Sequence, residues 1–472
     1  MNAPPLALPG PLFFFLAAMV VAVVAYLLHR WTFLSGLVSS AGCLTLGGMA
    51  YLLLLDRPLS LFGRSLVLGP SFLLWGREWT LAPSRMAVLA FVLIVTGLIF
   101  ALALHGPQGW SFYPFGVGVV GVLSLAITAQ QYIYAVLLLW LAAVMAVFVL
   151  TGGRPGATMG AFRFLALTTL AVMPLLILPH YLEPDAPENA LQVASILMIV
   201  GFGILFMMPP FHGQLVAVSA HAAPMALSLV LSVFPPVVFQ IFFTLGQAHP
   251  ALLEDGFMFS VCRWMGVAAA VIGGLVAAGQ RRWGSLVGYA ALVDWGAGLI
   301  ALGQGTRVGM AQAAQMLVWR AFSLLLTGSG LTAIFQATDQ NDGLEQCSGL
   351  LYRRPLSVLA LFGGLFSLAG FPLTPGAAGR WPLILDLLAS DSRAAWPLIL
   401  AGAGVGVGAL SGLKACLSAP APERQEDRRR MMVSLAFGLL TLWLVGYLFS
   451  HPAPWLEIVE RTLAEFTFLE VV

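Results

Sequence analysis

Apolar runs of about twenty residues recur from one end of this chain to the other, and that recurrence leaves few architectures open. Each run can cross about 30 Å of hydrocarbon as a helix. Lipid offers no hydrogen bonds, so only helices and closed barrels can span it. Continuous apolar runs, as opposed to alternating ones, point to helices. They fall near 12–29, 32–55, 86–105, 111–129, 131–151, 161–179, 191–209, 214–246 in two pieces, 257–279, 284–303, 309–336, 355–390 with a break, 394–417 and 431–450. The predicted fold is an all-α polytopic membrane protein with about fourteen transmembrane helices. Composition agrees: 60% of the 472 residues are hydrophobic and only 9% charged, against about 25% charged in a soluble domain. The first run reads as the first span and not as a cleaved leader, because no basic segment precedes it.

Several function classes drop out. A net charge of +2, with no basic tract interleaved with aromatics, argues against a nucleic-acid partner. Cys43, Cys262, Cys347 and Cys416 are far apart and form no CxxC, so neither zinc nor an iron–sulfur cluster is signalled. No GxGxxG follows a strand and no Walker motif appears. The chain is expected to hold no cofactor or metal and no catalytic residue of its own.

Arginine and lysine in short loops give the orientation. Arg30, Arg154 with Arg163, Arg281 with Arg282, Arg353 with Arg354, and the run from Lys414 to Arg430 all follow odd-numbered spans. The loops 180–189 and 247–256 carry acids without Lys or Arg. Odd-following loops are therefore expected inside and both termini outside. Segment 56–85 disagrees, with Arg57, Arg64, Arg77 and Arg85 on the expected outer side; its SLVLG and REWTLA stretches suggest a small hairpin.

Two runs are broken. MMPPFHGQ ends the seventh span with Pro209 and Pro210, and GFPLTPGAAGRW interrupts the twelfth with Pro372, Pro375 and Gly376. Proline removes a backbone donor, and freed carbonyls must face protein or water. Arg380 is expected to begin the second half of the twelfth helix. Five-helix spacing between the breaks suggests two inverted five-helix repeats with discontinuous helices 7 and 12. The expected segments are 1–105 (helices 1–3 with an external hairpin), 106–256 (first repeat, helices 4–8), 257–417 (second repeat, helices 9–13) and 418–472 (helix 14 and an external tail).

Four stretches carry a family resemblance. PPFHGQLVAVSAHAAPMALSLVLS, GQRRWGSLVGYAALVDWGAGLIALG, WRAFSLLLTGSGL and LFSLAGFPLTPGAAGRWPLI occur in this order. They resemble signatures of the antiporter-like membrane subunits of respiratory complex I, relatives of Mrp-type cation/proton antiporters and membrane-bound hydrogenases. The resemblance spans about residues 86–417. It implies about fourteen helices with both termini outside. It also implies a midplane proton path using a glutamate on the fifth helix and lysines on the seventh, eighth, eleventh and twelfth.

Carried over position by position, the resemblance places Trp140 at the glutamate and Leu205 at the seventh-helix lysine. The basic position of the eighth helix falls at Ser232 or Val237, according to subtype. None of these side chains exchanges protons. Arg320 and Arg380 stand at the eleventh- and twelfth-helix lysines, and Asp294 where the family often has His or Gln. Lysine can be deprotonated once desolvated, but arginine effectively cannot. Arg320 and Arg380 can therefore hold charge but relay protons poorly.

Buried charge is costly in a membrane, so Asp294, Arg320 and Arg380 are expected to pair or to act. Depth arithmetic puts Asp294 and Arg320 near the midplane on adjacent antiparallel helices, and predicts an ion pair. His212 and His221 flank the first break; each is either a relay group or a histidine bonded to freed backbone. Asp386 is either a partner for Arg380 or an interface residue. Arg263 and Lys414, near helix ends, are expected to snorkel, and Trp140 to fill space. The resemblance implies a membrane subunit of a complex I-type NADH:quinone oxidoreductase that contributes to or scaffolds proton translocation, with a degenerate first half-channel. Its partners would be other membrane subunits and the lipid bilayer, in a bacterial inner membrane. The alternative is a self-standing or two-component transporter for a cation, protons or inorganic carbon.

Overall fold

The computed structural model describes residues 6–57, 59–61, 64–74, 76–104, 106, 108–152, 156–183, 187, 189–418, 458–459 and 461–466. The fourteenth expected span, 431–450, nearly all of the C-terminal segment 418–472, Arg154 and most of the basic run after Lys414 lie outside the described residues.

The chain begins with strand β1 (Leu6–Pro9), then helices α1 (Gly10–Leu27) and α2 (Thr32–Leu54). Strands β2 (Leu59–Leu61), β3 (Arg64–Gly69), β4 (Ser71–Leu74) and β5 (Arg77–Thr80) follow. A hairpin is present, but not between SLVLG and REWTLA: REWTLA, in β5, pairs antiparallel with the nearer β4, Ser71 opposite Thr80, and SLVLG lies in β3, which pairs with β1 and β2. A second sheet, ordered β1-β3-β2, adds the N-terminal strand parallel to β3. Arg85 is buried and donates to the Thr128 carbonyl at 3.0 Å and to the Thr80 hydroxyl. It ties the β4–β5 hairpin to the helices, which gives an arginine on the unexpected side a structural task.

Helices α3 (Pro83–Ala103), α4 (Phe112–Thr128), α5 (Tyr132–Thr151), α6 (Thr158–Ile177), α7 (Ala190–Leu205), α8 (Gly213–His221) and α9 (Pro224–Ala248) continue the chain. Then come α10 (Phe257–Ala278), α11 (Trp283–Leu302), α12 (Arg307–Ala337), the single turn α13 (Leu350–Arg353), α14 (Pro355–Ala369), α15 (Pro375–Ser390) and α16 (Ser392–Leu417). Proline opens α3, α9, α14 and α15, where its missing N–H would have no partner in any case. Among the described residues ten helices are long and apolar enough to cross a membrane, and α4, α7 and α14 are shorter apolar helices. The protein is an integral, multi-pass membrane protein.

The core lies where the helices meet, not in a separate soluble body. Helix α9 is buried along its hydrophobic length, and α11 nearly so. By contrast α1, α2 and α10 leave most of their surface to the outside. Helix α12 packs on α9, α14 and α15, and α11 on α10 and α8. Ser228 fastens two of the central helices, donating from α9 to the Leu324 carbonyl of α12 at 2.8 Å. At the C-terminal end of the described chain the Phe466 ring packs at a tilt against Phe243, centroids 5.2 Å apart, and Glu465 accepts from the Ser84 backbone at 3.1 Å.

Candidate functional site

Both expected helix breaks are present. The first separates α7 from α8 over residues 206–212, with Met207 at φ 53°. Its freed backbone is partly satisfied from within: the Gln214 side chain donates to the Ile204 carbonyl at 2.8 Å. The second separates α14 from α15 over residues 370–374. Gly370 sits at φ 74°, a left-handed conformation that costs glycine little.

Arg380 does not begin the second half-helix. Pro375 does, with its fixed φ, and Arg380 lies in the second turn. Gly376 and Gly379 are ordinary helical residues, so Gly370 alone supplies the unusual glycine dihedral in this break. Gly376 matters through contact: a β-carbon there would collide with the Ser367 carbonyl. Its N–H donates to the Ser367 hydroxyl at 2.8 Å, and that hydroxyl also meets Ser323 at 2.6 Å. One serine thus holds α14, α15 and α12 together.

The expected Asp294–Arg320 ion pair forms. Arg320 donates through Nε to Asp294 Oδ2 at 2.5 Å and through Nη2 to the Asp294 carbonyl at 3.2 Å. Arg380 joins it, donating through Nη2 to Asp294 Oδ1 at 3.2 Å and to the Leu368 carbonyl at 2.7 Å. All three side chains are at most 7% exposed. The site is therefore a triad of one carboxylate and two guanidinium groups.

Trp295, which sequence reasoning passed over, extends the triad to the first break. Its ring lies 4.2 Å under the Arg320 guanidinium carbon, and its indole N–H donates to the Phe206 carbonyl. The same cluster therefore reaches freed backbone at Phe206 in the first break and at Leu368 beside the second. A buried indole N–H needs an acceptor, and its position next to a charged residue in a buried helix was the available signal.

The other candidates divide. His221 in α8 donates from its ring to the Ala217 carbonyl at 2.8 Å, the bonding expected of a histidine beside a break. His212 Nδ1 is buried with no protein partner among the described residues. Asp386 is not the partner of Arg380: it is exposed, and accepts from Gln312 Nε2 at 2.6 Å. Six residues of helix turn it well away from Arg380. Arg263 pairs with Asp391 at 2.5 Å near the helix ends. At the remaining family positions, Leu205 and Ser232 are buried, and the Ser232 hydroxyl has no protein partner among the described residues. Trp140 faces outward at 37% exposure and donates to Thr169 Oγ1 at 3.0 Å, so it lies off the central axis.

Two helices interrupted partway and joined through a buried charge cluster are the architecture of multi-pass membrane proteins built on discontinuous helices. Over residues 141–406 the sequence matches the family described as NADH:quinone oxidoreductase/Mrp antiporter, TM, and the chain belongs to that family. NADH-quinone oxidoreductase subunit N of Chromohalobacter salexigens is 26% identical over 277 residues, 57% of each chain. Formate hydrogenlyase subunit 3 of Escherichia coli is 25% identical over 66% of this chain and 56% of its own. These alignments thus span little more than half of the relatives' lengths. The fold is shared with a chain of the Mrp complex from Dietzia sp. DQ12-45-1b, at a TM-score of 0.78 and 15% identity, covering 96% of this chain and 97% of that one. A chain of respiratory complex I from Thermus thermophilus superposes at 0.75 with 16% identity, covering 96% and 99%.

Proposed function

We propose that this chain is an antiporter-like subunit of a complex I-type, proton-translocating membrane oxidoreductase, in which it holds a fixed charge and does not relay protons. The carrying observation is the triad of Asp294, Arg320 and Arg380, which puts two arginines where the family resemblance implies lysines. An arginine stays protonated, so it can order a neighbour's field or brace the helix breaks but cannot pass a proton on. The first half-channel is degenerate in this reading, because Trp140, Leu205 and Ser232 cannot ionise to serve as relays. The four segments 1–105, 106–256, 257–417 and 418–472 serve as the N-terminal helices, the two inverted repeats and the C-terminal helix with its tail. The chain contributes no redox centre. It sits in a bacterial inner membrane with both termini outside, a reading supported by Arg281, Arg282, Arg353 and Arg354 on loops after odd-numbered spans.

A subunit role is favoured over a self-standing transporter by Pro372 and Leu373. They form the exposed tip of the second break, with Leu373 100% exposed. Non-helical backbone at membrane depth is tolerated against protein or water but not against lipid. Extraction of native membranes in mild detergent tests the reading. The chain should migrate with other polytopic subunits, and reconstituted alone it should pass no more protons under an imposed potential than protein-free vesicles. A chain that migrates alone, or with one soluble partner, and that conducts protons by itself would overturn it.

A further inference from the structure

The charges of the triad do not cancel. Two guanidinium groups face one carboxylate, and Asp294, Arg320 and Arg380 are 5%, 4% and 2% exposed. Among the described residues no second acid stands by: Asp294 and Asp386 are the only acidic residues in helices α1 to α16, and Asp386 is exposed and bonded to Gln312. A net positive charge is therefore left in the core of the membrane domain, where an uncompensated ion is strongly unfavourable. Arginine cannot relieve this by losing its proton.

The hydrogen bonding is incomplete in the same place. Arg320 Nη1, Arg380 Nε and Arg380 Nη1 are buried and have no protein partner among the described residues. A buried donor left unpaired costs about as much as the hydrogen bond it lacks, and more when charged. There is also room on the Arg320 side of the cluster. Gly298 stands one turn beyond Asp294 on α11. A β-carbon built there would have a single neighbour within 4 Å, Arg320 Nη2 at 3.5 Å. The glycine leaves space for a methyl-sized group against the Arg320 guanidinium, although α11 is buried along its length.

We propose that the triad is an anion site, which takes one small monovalent inorganic anion between Arg320 and Arg380 on the Gly298 side. The anion brings the cluster to neutrality and accepts from the unpaired guanidinium N–H groups. The inference rests on the reading of the triad as a permanently charged centre, and adds a ligand to it.

Chloride, with gluconate as an oversized control at equal ionic strength, is the probe. The purified full chain in detergent should bind radiolabelled chloride saturably, about one per chain, and its melting temperature should rise with chloride but not with gluconate. Arg380→Gln leaves a neutral Asp294–Arg320 pair and should abolish both effects. Should that variant fail to fold, Gly298→Ala decides the matter: the added methyl makes only ordinary contact, keeps every charge, and should weaken chloride binding about tenfold. No saturable binding, or binding indifferent to both substitutions, would overturn the proposal. Such a result, with proton flux still absent and co-migration intact, would leave the fixed-charge reading standing.

Discussion

At the residue scale, the third member of the cluster changes what each substitution does. An isolated Asp294–Arg320 pair would suffer equally from loss of either side. With Arg380 also bonded to Asp294, the two sides are unequal. Asp294→Asn strands two buried guanidinium groups and should destabilise the protein by about 3–5 kcal/mol. Arg320→Met leaves the Asp294–Arg380 pair neutral and should cost distinctly less. The combination Asp294→Asn with Arg320→Met returns the net charge to its original value and should recover part of the loss. Thermal melts of the three variants in detergent measure this order. Equal losses for the two single variants, or strictly additive losses in the double, would show that the charges are not coupled. The pairing of Asp294 with Arg320 was legible in the sequence, because depth along two adjacent helices is simple arithmetic. The addition of Arg380 was not, since it depends on how a half-helix after a break packs against α11. Trp295 was hidden for a different reason: in an apolar run an indole reads as packing, and only a freed carbonyl at Phe206 gives its N–H a task.

At the element scale, the two halves of the interrupted helix are held apart by proline and together by close contact. Gly376→Ala would drive a methyl into the Ser367 carbonyl and disturb the Ser367–Ser323 bond behind it. It should cost about 1–3 kcal/mol. Gly363→Ala, on the other side of the break in α14 and with open space around it, should be neutral or stabilising by about 0.5–1 kcal/mol. Melting temperatures of the pair test whether the contact at Gly376, and not glycine as such, is what matters. Breaks of this kind are easy to see in a sequence, since Pro372 and Pro375 interrupt an otherwise apolar run. The first helical residue was harder. The charge at Arg380 drew attention, but Pro375 with its fixed φ starts the helix. A hairpin was legible from REWTLA, but its partner was not SLVLG: the adjacent β4 takes that place, and SLVLG pairs in parallel with Leu6–Pro9, which was hidden because the partners are far apart in the chain.

At the scale of the whole molecule, the exposed surface divides into parts that lipid can cover and a part that it cannot. Leu16, Val20, Leu275 and Leu400 stand out from regular helices whose backbone is already bonded, and acyl chains suffice for them. The tip at Pro372 and Leu373 is different. Helix α14 runs for 15 residues, about 22 Å, to reach it, and α15 runs for 16 residues, about 24 Å, to leave it. The tip therefore lies near mid-depth, with Leu373 at φ 67° and fully exposed. The Phe366, Ser367, Leu368, Gly370 and Phe371 carbonyls are each taken up within the chain, by backbone N–H groups, Arg380, Trp381 and Thr374. What remains outward is the Pro372–Leu373 segment, and a neighbouring subunit is the cover that a membrane complex can provide. Leu373→Cys should accordingly be labelled quickly by a small maleimide when the chain is purified alone, and slowly in the intact assembly. A cysteine introduced at Leu275, on a lipid-covered helix face, should show no such difference between the two preparations. Equal labelling of Leu373→Cys in both would mean that no subunit covers the second break, and the case for an obligate partner at this face would fail.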